Sequence, residues 1–183
     1  MPEARKRFDP VAGLRPALKT LPVYAALEDI GALIERYHLD PATVIKIDGN
    51  ENPFGPSPRA LEALRNGYHP EWYGDDDQRT LRAALARYAE VSPECVVAGS
   101  GSDELIDQVF RMYLGEGERI VVASPTFGMY AFDAALHGVP VVDVPLRDDW
   151  SFDEPALLEA AKTAKAVFIP SPNNPTGRLL EPE

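Results

Sequence analysis

The sequence predicts an α/β protein in which helices flank a mostly parallel sheet. From Cys95 onward, short runs of β-branched residues alternate with amphipathic segments at helical spacing. Alternation of this kind is typical of βαβ units, in which helices cover both faces of a parallel sheet. A chain of 183 residues with 45% hydrophobic residues is also long enough to bury a substantial core.

Before Cys95 the sequence predicts helices and turns. Apolar residues recur at helical spacing within residues 22–37, which indicates an amphipathic helix in an N-terminal arm. Three prolines and two glycines within residues 45–58 exclude regular structure and predict a series of turns. Helices follow from Ser57 and near residues 76–89. We therefore predict an arm over residues 1–45 and the first part of a larger domain over 46–183.

Four strands and three helices are predicted from Cys95 onward. The strands are the β-branched runs CVVAGS, RIVVAS, VPVVDVP and AVFIPS, and the helices lie near residues 102–114, 127–137 and 153–163. The segments GSGSDE, SPTFGMY and SPNNPTG follow the first, second and fourth strands. Ligands of open α/β sheets bind beyond the carboxyl ends of the strands, so these three segments predict one candidate site.

Composition excludes several classes of function. The formal net charge of -11 opposes binding to nucleic acid, and the basic triplet RKR at residues 5–7 is typical of a solvated N-terminus. No apolar run is long enough to cross a bilayer. The single cysteine, Cys95, leaves no internal disulfide, and the three histidines lack metal-ligand spacing. We expect a cytoplasmic protein without a metal.

GSGSDE has two interpretations. It is a candidate phosphate cradle, since its glycines let the backbone approach an anion and the following helix offers free N–H groups. It lacks a dinucleotide fingerprint, because Glu104 stands at the sixth position, and it lacks the lysine of a Walker loop. The alternative is an ordinary helix start, which favours acidic residues. If an anion binds, we expect both carboxylates to turn away from it.

SPTFGMY and SPNNPTG supply candidate ring contacts. Phe127 directly follows a strand end and is placed to stack on a flat ligand; the alternative is that it packs a helix onto the sheet. The two prolines around Asn173 and Asn174 favour a rigid turn that aims an amide over the strand end. A turn alone explains Asn173 but not the doubled asparagine, so we regard this segment as the most specific signal in the chain.

Five motifs in order resemble the class I/II pyridoxal-phosphate-dependent aminotransferases, and among them the histidinol-phosphate aminotransferases. They are NENPFGPSP, WYGDDDQRTLRAALARY, GSGSDELID, SPTFGMY and PSPNNPTG. The likeness covers nearly the whole chain from about Leu18. It implies the first part of a fold-type-I large domain with pyridoxal 5'-phosphate at its strand ends, in a homodimer. The implied reaction transfers the amino group of histidinol phosphate to 2-oxoglutarate, in histidine biosynthesis.

The resemblance also implies roles for the candidate residues. Backbone at Gly101, Ser102 and Asp103 holds the cofactor phosphate, Phe127 stacks on its ring, and Asn174 donates to its phenolic oxygen. Many members of the family carry tyrosine in place of the phenylalanine.

Three further residues are implied outside the strand ends. Tyr73 matches a tyrosine that reaches the cofactor phosphate of the partner subunit. Asn52 and Gly55 match a loop on the substrate side.

The family's catalytic groups are expected outside this chain. In the family, the aspartate, the Schiff-base lysine and the carboxylate-binding arginine follow the NPTG segment, and here six residues follow Gly177. None of the lysines matches the Schiff-base position; they are Lys6, Lys19, Lys46, Lys162 and Lys165. We therefore expect little activity from the chain alone. The alternatives are an aromatic aminotransferase, an amino-acid-phosphate decarboxylase, or a non-catalytic α/β module.

Overall fold

The computed structural model describes residues 11–24, 27–67, 69 and 71–180. They form two compact units, one made of the residues up to Val23 with those from Cys95 onward, the other of Tyr24–Glu94. The predicted division at residue 45 stays a prediction. The triplet at residues 5–7, including Lys6, lies outside the described residues.

The described residues contain seven α-helices and three β-strands. The helices are α1 (Pro16–Lys19), α2 (Ile30–Tyr37), α3 (Pro58–Gly67), α4 (Arg79–Ala89), α5 (Ser102–Tyr113), α6 (Met129–His137) and α7 (Glu154–Ala161). The strands are β1 (Ile120–Val122), β2 (Val141–Asp143) and β3 (Ala166–Phe168). In the part of the chain that is described, no helix combines the length and apolar character required to cross a membrane.

Two helices begin later than the sequence predicts. Helix α2 starts at Ile30, eight residues after the predicted start, because the Asp29 carboxylate accepts the Ala32 N–H at 3.0 Å and caps the helix there. Helix α4 starts at Arg79, three residues after the predicted start. The Asp75 carboxylate accepts the N–H groups of Asp77 and Arg79, so the acidic run forms a turn before the helix.

The sheet is parallel, as predicted, with strand order β2-β1-β3. In register, Ile120 of β1 lies beside Val141 on one side and Ala166 on the other. The predicted strand CVVAGS is wrong, since residues 96–99 form no strand and Val97 is 70% exposed. A β-branched run becomes a strand only where a neighbour pairs with it, and the three described strands form their ladders with one another.

Helices cover both faces of the sheet, which confirms the predicted layers. On one face Ile120 and Val122 pack with Phe110 of α5 and Ala134 of α6. On the other face a second core cluster includes Leu157 of α7; its members are Val121, Ala123, Val144, Phe152 and Leu157. The alternation along β1 therefore divides the core between the two faces, and all three β1 residues are buried.

Candidate functional site

The candidate site lies at the carboxyl ends of the three strands. Because β2 and β3 both run parallel to β1, the segments that follow β1 and β3 leave the same edge of the sheet. These segments are residues 124–128 and 171–177, and Asp143 is the last residue of β2. The edge therefore carries SPTFGMY and SPNNPTG, two of the three predicted segments. GSGSDE follows no strand in the described residues, and its last three residues, from Ser102 to Glu104, begin α5.

Asp143 ties the end of β2 to the segment after β1. Its carboxylate accepts the backbone N–H of Ser124 at 3.2 Å and the Ser124 hydroxyl at 2.6 Å. Two bonds from one carboxylate fix both the backbone and the side chain of Ser124. Sequence reasoning missed this contact, since the two residues are 19 positions apart and Asp143 belongs to none of the recognised motifs.

Asn173 ties the segment after β3 to the segment after β1. It is 2% exposed. Its Nδ2 donates to the Pro125 carbonyl at 3.0 Å and to Thr176 Oγ1 at 2.9 Å, and its Oδ1 accepts from Thr126 Oγ1 at 3.0 Å. Its backbone also exchanges two bonds with the end of the turn, through Gly177 N–H at 2.7 Å and the Arg178 carbonyl at 2.8 Å. The side chain is thus a fully used, buried connection between two strand ends.

Asn174 differs from its neighbour. Its side chain is exposed, and within the described part of the chain it takes part in no hydrogen bond. The adjacent buried connection at Asn173 holds the backbone on one side of it. The doubled asparagine therefore combines one residue that fastens the turn with one whose amide faces outward.

Phe127 is half-buried beside a small cleft. Its ring meets Tyr130 edge to face, with centroids 5.6 Å apart and planes at 84°, and Tyr130 stacks on Phe168 at 4.9 Å. The packing role and the ligand role are therefore compatible, because Phe127 both packs against Tyr130 and lines a cleft. A cleft of about 270 Å³ opens beside the ring, with Pro125 and Asp143 among the residues that line it.

The start of α5 offers free backbone amides. Gly101 caps the helix with φ 89° and ψ 178°, a conformation that essentially only glycine adopts, and it supplies no side-chain bond to the first amides. Nothing lies within 4 Å of where a Cβ on Gly101 would stand, and Ser102 and Asp103 are exposed. This 12-residue helix therefore presents an open, positive N-terminal end.

The carboxylates of Asp103 and Glu104 are expected to turn away from a bound anion, but the Glu104 carboxylate turns toward the backbone that precedes α5. Its Oε2 accepts the backbone N–H of Ser100 and stands 2.8 Å from where a Cβ on Gly99 would be placed. The carboxylate turns inward because the Ser100 amide is an unpaired donor just before the helix. It leaves the amides of Ser102 and Asp103 available, but any anion bound there lies near a negative charge.

Away from the strand ends, a cluster of charged residues joins α5 and α6. His137 Nε2 is 2.7 Å from Asp107 Oδ1, and this hydrogen bond is the main cause of the lowered pKa of Asp107, ahead of the nearby Arg111. Asp133 is 3% exposed, its Oδ2 has no hydrogen-bond partner, and burial followed by the charge of Asp107 raises its pKa. Sequence reasoning missed this cluster, because an aspartate in a helix pattern reads as a surface residue.

The remaining predicted residues belong to the Tyr24–Glu94 unit. The structure brings Asn52 and Gly55 together in one turn, where Asn52 Nδ2 donates to the Gly55 carbonyl at 3.0 Å and Oδ1 accepts the Phe54 N–H at 3.1 Å. Gly55 has φ 69°, which a side chain would strain. Tyr73 is fully exposed.

Each of the four described lysines has a partner of its own. Lys19 donates to the Ala12 carbonyl, Lys162 pairs with Glu159, and Lys165 pairs with Glu118. The pKa of Lys46 is raised mainly by its hydrogen bond to Glu51 and next by its hydrogen bond to Asp48.

Comparison with known proteins relates the chain to one family. The model of the family "Aminotransferase class I and II" matches residues 42–183. The histidinol-phosphate aminotransferase of Roseiflexus castenholzii is 45% identical over 174 residues, 91% of this chain and 47% of the relative. The chloroplastic enzyme of the same name from Nicotiana plumbaginifolia is 40% identical over 99% of this chain and 44% of the relative. The chain thus spans about half the length of these curated relatives.

Solved structures of other proteins are also similar to the chain. The crystal structure of histidinol-phosphate aminotransferase from Sinorhizobium meliloti in complex with pyridoxal-5'-phosphate superposes with a TM-score of 0.76 at 29% identity, over 96% of this chain and 45% of that one. Cystalysin from Treponema denticola, at 13% identity and a TM-score of 0.66 over 82% of this chain and 41% of that one, shares the fold.

Proposed function

Because the chain belongs to the family of class I and II aminotransferases, we propose that its strand-end segments and the start of α5 bind pyridoxal 5'-phosphate. The observation that carries the proposal is the pair of joined segments at one sheet edge. The buried Asn173 holds them together, while Asn174 is exposed and Phe127 lines the cleft.

The residues present fit the phosphate of this cofactor. The amides of Ser102 and Asp103 begin a helix without a side-chain cap, and the open space at Gly101 lets a tetrahedral anion approach the backbone. The like charge of Glu104, whose carboxylate lies on the Ser100 amide, weakens binding unless the carboxylate moves outward.

The residues also fit the ring. Phe127 supplies an apolar face, and the free amide of Asn174 supplies a donor for the phenolic oxygen. When bound, the cofactor supplies the carbonyl carbon and the electron-withdrawing ring that amino-group transfer requires. The chain's own contribution is to hold that ring in one orientation and to stabilise negative charge on its oxygen.

For the whole protein we propose amino transfer from histidinol phosphate to 2-oxoglutarate. The support is that the two relatives described above, at 45% and 40% identity, both carry the name histidinol-phosphate aminotransferase. We further propose a cytoplasmic homodimer, in which the exposed Tyr73 reaches the phosphate site of the partner subunit and the turn of Asn52 and Gly55 borders the substrate.

We propose that this chain alone does not catalyse the reaction. An amine that bonds covalently to an aldehyde must first lose its proton, which a lowered lysine pKa favours. Lys46 has the opposite shift. Lys162 and Lys165 come before β3, at the amino end of that strand, and are paired with carboxylates.

The test compares two forms of the protein. The chain itself, and a form continued to the length of its relatives, are assayed with 2-oxoglutarate and either histidinol phosphate or phenylalanine. We expect transfer from histidinol phosphate by the longer form and none by the chain. Activity with phenylalanine alone would overturn the substrate, and amino transfer by the chain would overturn its proposed inactivity.

A further inference from the structure

We infer that Asn173 is a positioning residue of the cofactor site, which sets where Asn174 stands relative to Phe127. The inference rests on the proposed binding of pyridoxal 5'-phosphate. Asn173 has no open face for a ligand, because it is 2% exposed and every polar atom of its side chain is bonded. It therefore acts through the residues beside it.

The orientation of the Asn173 amide follows from its partners. A backbone carbonyl only accepts hydrogen bonds, so the atom that faces the Pro125 carbonyl at 3.0 Å is the nitrogen. The oxygen then faces Thr126, whose hydroxyl donates to it at 3.0 Å. Only an amide presents a donor and an acceptor in this arrangement, so an isosteric carboxylate does not replace it.

The two ends of this connection adjoin the two ring contacts. Thr126 is bonded in sequence to Phe127, and Asn173 is bonded in sequence to Asn174. Among the described residues, every hydrogen bond between segments 124–128 and 171–177 involves the Asn173 side chain. The third bond, to Thr176 at 2.9 Å, holds the far side of the same turn. Loss of these bonds lets the amide donor and the stacking ring move independently.

The start of α5 is separate from this connection. Its amides come from a different part of the chain, and no hydrogen bond among the described residues joins Ser102 or Asp103 to Asn173. A change at Asn173 should therefore weaken the hold on the ring of the cofactor and leave the hold on its phosphate in place.

The experiment measures the affinity of the purified protein for pyridoxal 5'-phosphate, with inorganic phosphate as a competitor. Asn173→Asp keeps the shape but sets a carboxylate against the Pro125 carbonyl. We expect its affinity for the cofactor to fall by about tenfold, the effect of one misplaced hydrogen bond to a charged group. The inhibition constant of inorganic phosphate should change by less than about twofold, since phosphate alone uses the α5 amides.

A double-mutant cycle with Asn174→Ala separates positioning from general stability. If Asn173 acts through Asn174, then Asn173→Asp costs little further affinity once the Asn174 amide is gone, so the two effects are not additive. Thr126→Val, which removes one of the three bonds, provides a milder variant if Asn173→Asp does not fold. Leu157→Ala on α7 is the control for lost packing and should leave the cofactor affinity unchanged.

The outcomes are distinguishable. Wild-type protein that does not bind pyridoxal 5'-phosphate refutes the proposed function itself. Wild-type protein that binds, with unchanged affinity in both Asn173→Asp and Thr126→Val or with additive effects in the cycle, overturns the role of Asn173. A fall of equal size for inorganic phosphate also overturns it, since that result indicates a general loss of structure.

Discussion

Truncation of the two adjacent asparagines to alanine should affect stability very differently, because Asn173 is buried and bonded whereas Asn174 is exposed. Asn173→Ala removes three side-chain hydrogen bonds and leaves the Pro125 carbonyl and two threonine hydroxyls without their partner. At about 0.5–1.5 kcal/mol for each bond, the expected loss in the free energy of unfolding is about 3 kcal/mol. Asn174→Ala removes an exposed amide, so its expected change is below about 0.5 kcal/mol.

Urea unfolding of the protein without cofactor measures both changes, followed by circular dichroism. For a chain of this size, about 3 kcal/mol also corresponds to a fall in Tm of roughly 6–12 °C. The two variants are each other's control, because they delete the same side chain at neighbouring positions. Equal destabilisation by both, or a loss below about 0.5 kcal/mol in Asn173→Ala, would refute the division of roles between the two asparagines.

Three more predictions concern charge and backbone. Burial raises the pKa of Asp133, so its stability contribution is lost as the pH rises above the ordinary value of 3.8; the unfolding free energy of Asp133→Asn should exceed that of wild type more at pH 7 than at pH 4. Pairing with His137 lowers the pKa of Asp107, so Asp107→Asn should destabilise at pH 7 by an amount that shrinks below pH 3.8 in the same titration. Gly101→Ala forces a side chain into φ 89° and should cost about 1–3 kcal/mol in urea unfolding, with weaker cofactor binding by dialysis.

The sequence predicted the elements whose partners lie nearby. Three β-branched runs became β1, β2 and β3, because α6 connects β1 to β2 and α7 connects β2 to β3 in two consecutive βαβ units. The run CVVAGS also contains β-branched residues, but a strand requires a hydrogen-bonded neighbour as well, which composition does not specify. The predicted start of α2 is too early for a related reason. The periodic residues before Asp29 satisfied the helix pattern, while the capping carboxylate decided where the helix begins.

The candidate site was predictable as motifs and not as contacts. The unusual turn around Asn173 and Asn174 identified the segment, yet sequence reasoning favoured Asn174 and explained its neighbour as part of a local turn. The bonds of Asn173 to Pro125 and Thr126 join residues 48 and 47 positions apart, so only the folded sheet edge reveals them. Motifs record residue types, and the connection between two motifs depends on topology.

A crystal structure of the protein grown with pyridoxal 5'-phosphate tests the central claim most directly. The account predicts the phosphate on the amides of Ser102 and Asp103, the ring against Phe127 and the phenolic oxygen within hydrogen-bond distance of the Asn174 amide. Cofactor bound away from this sheet edge, or joined covalently to a lysine of this chain, would contradict it.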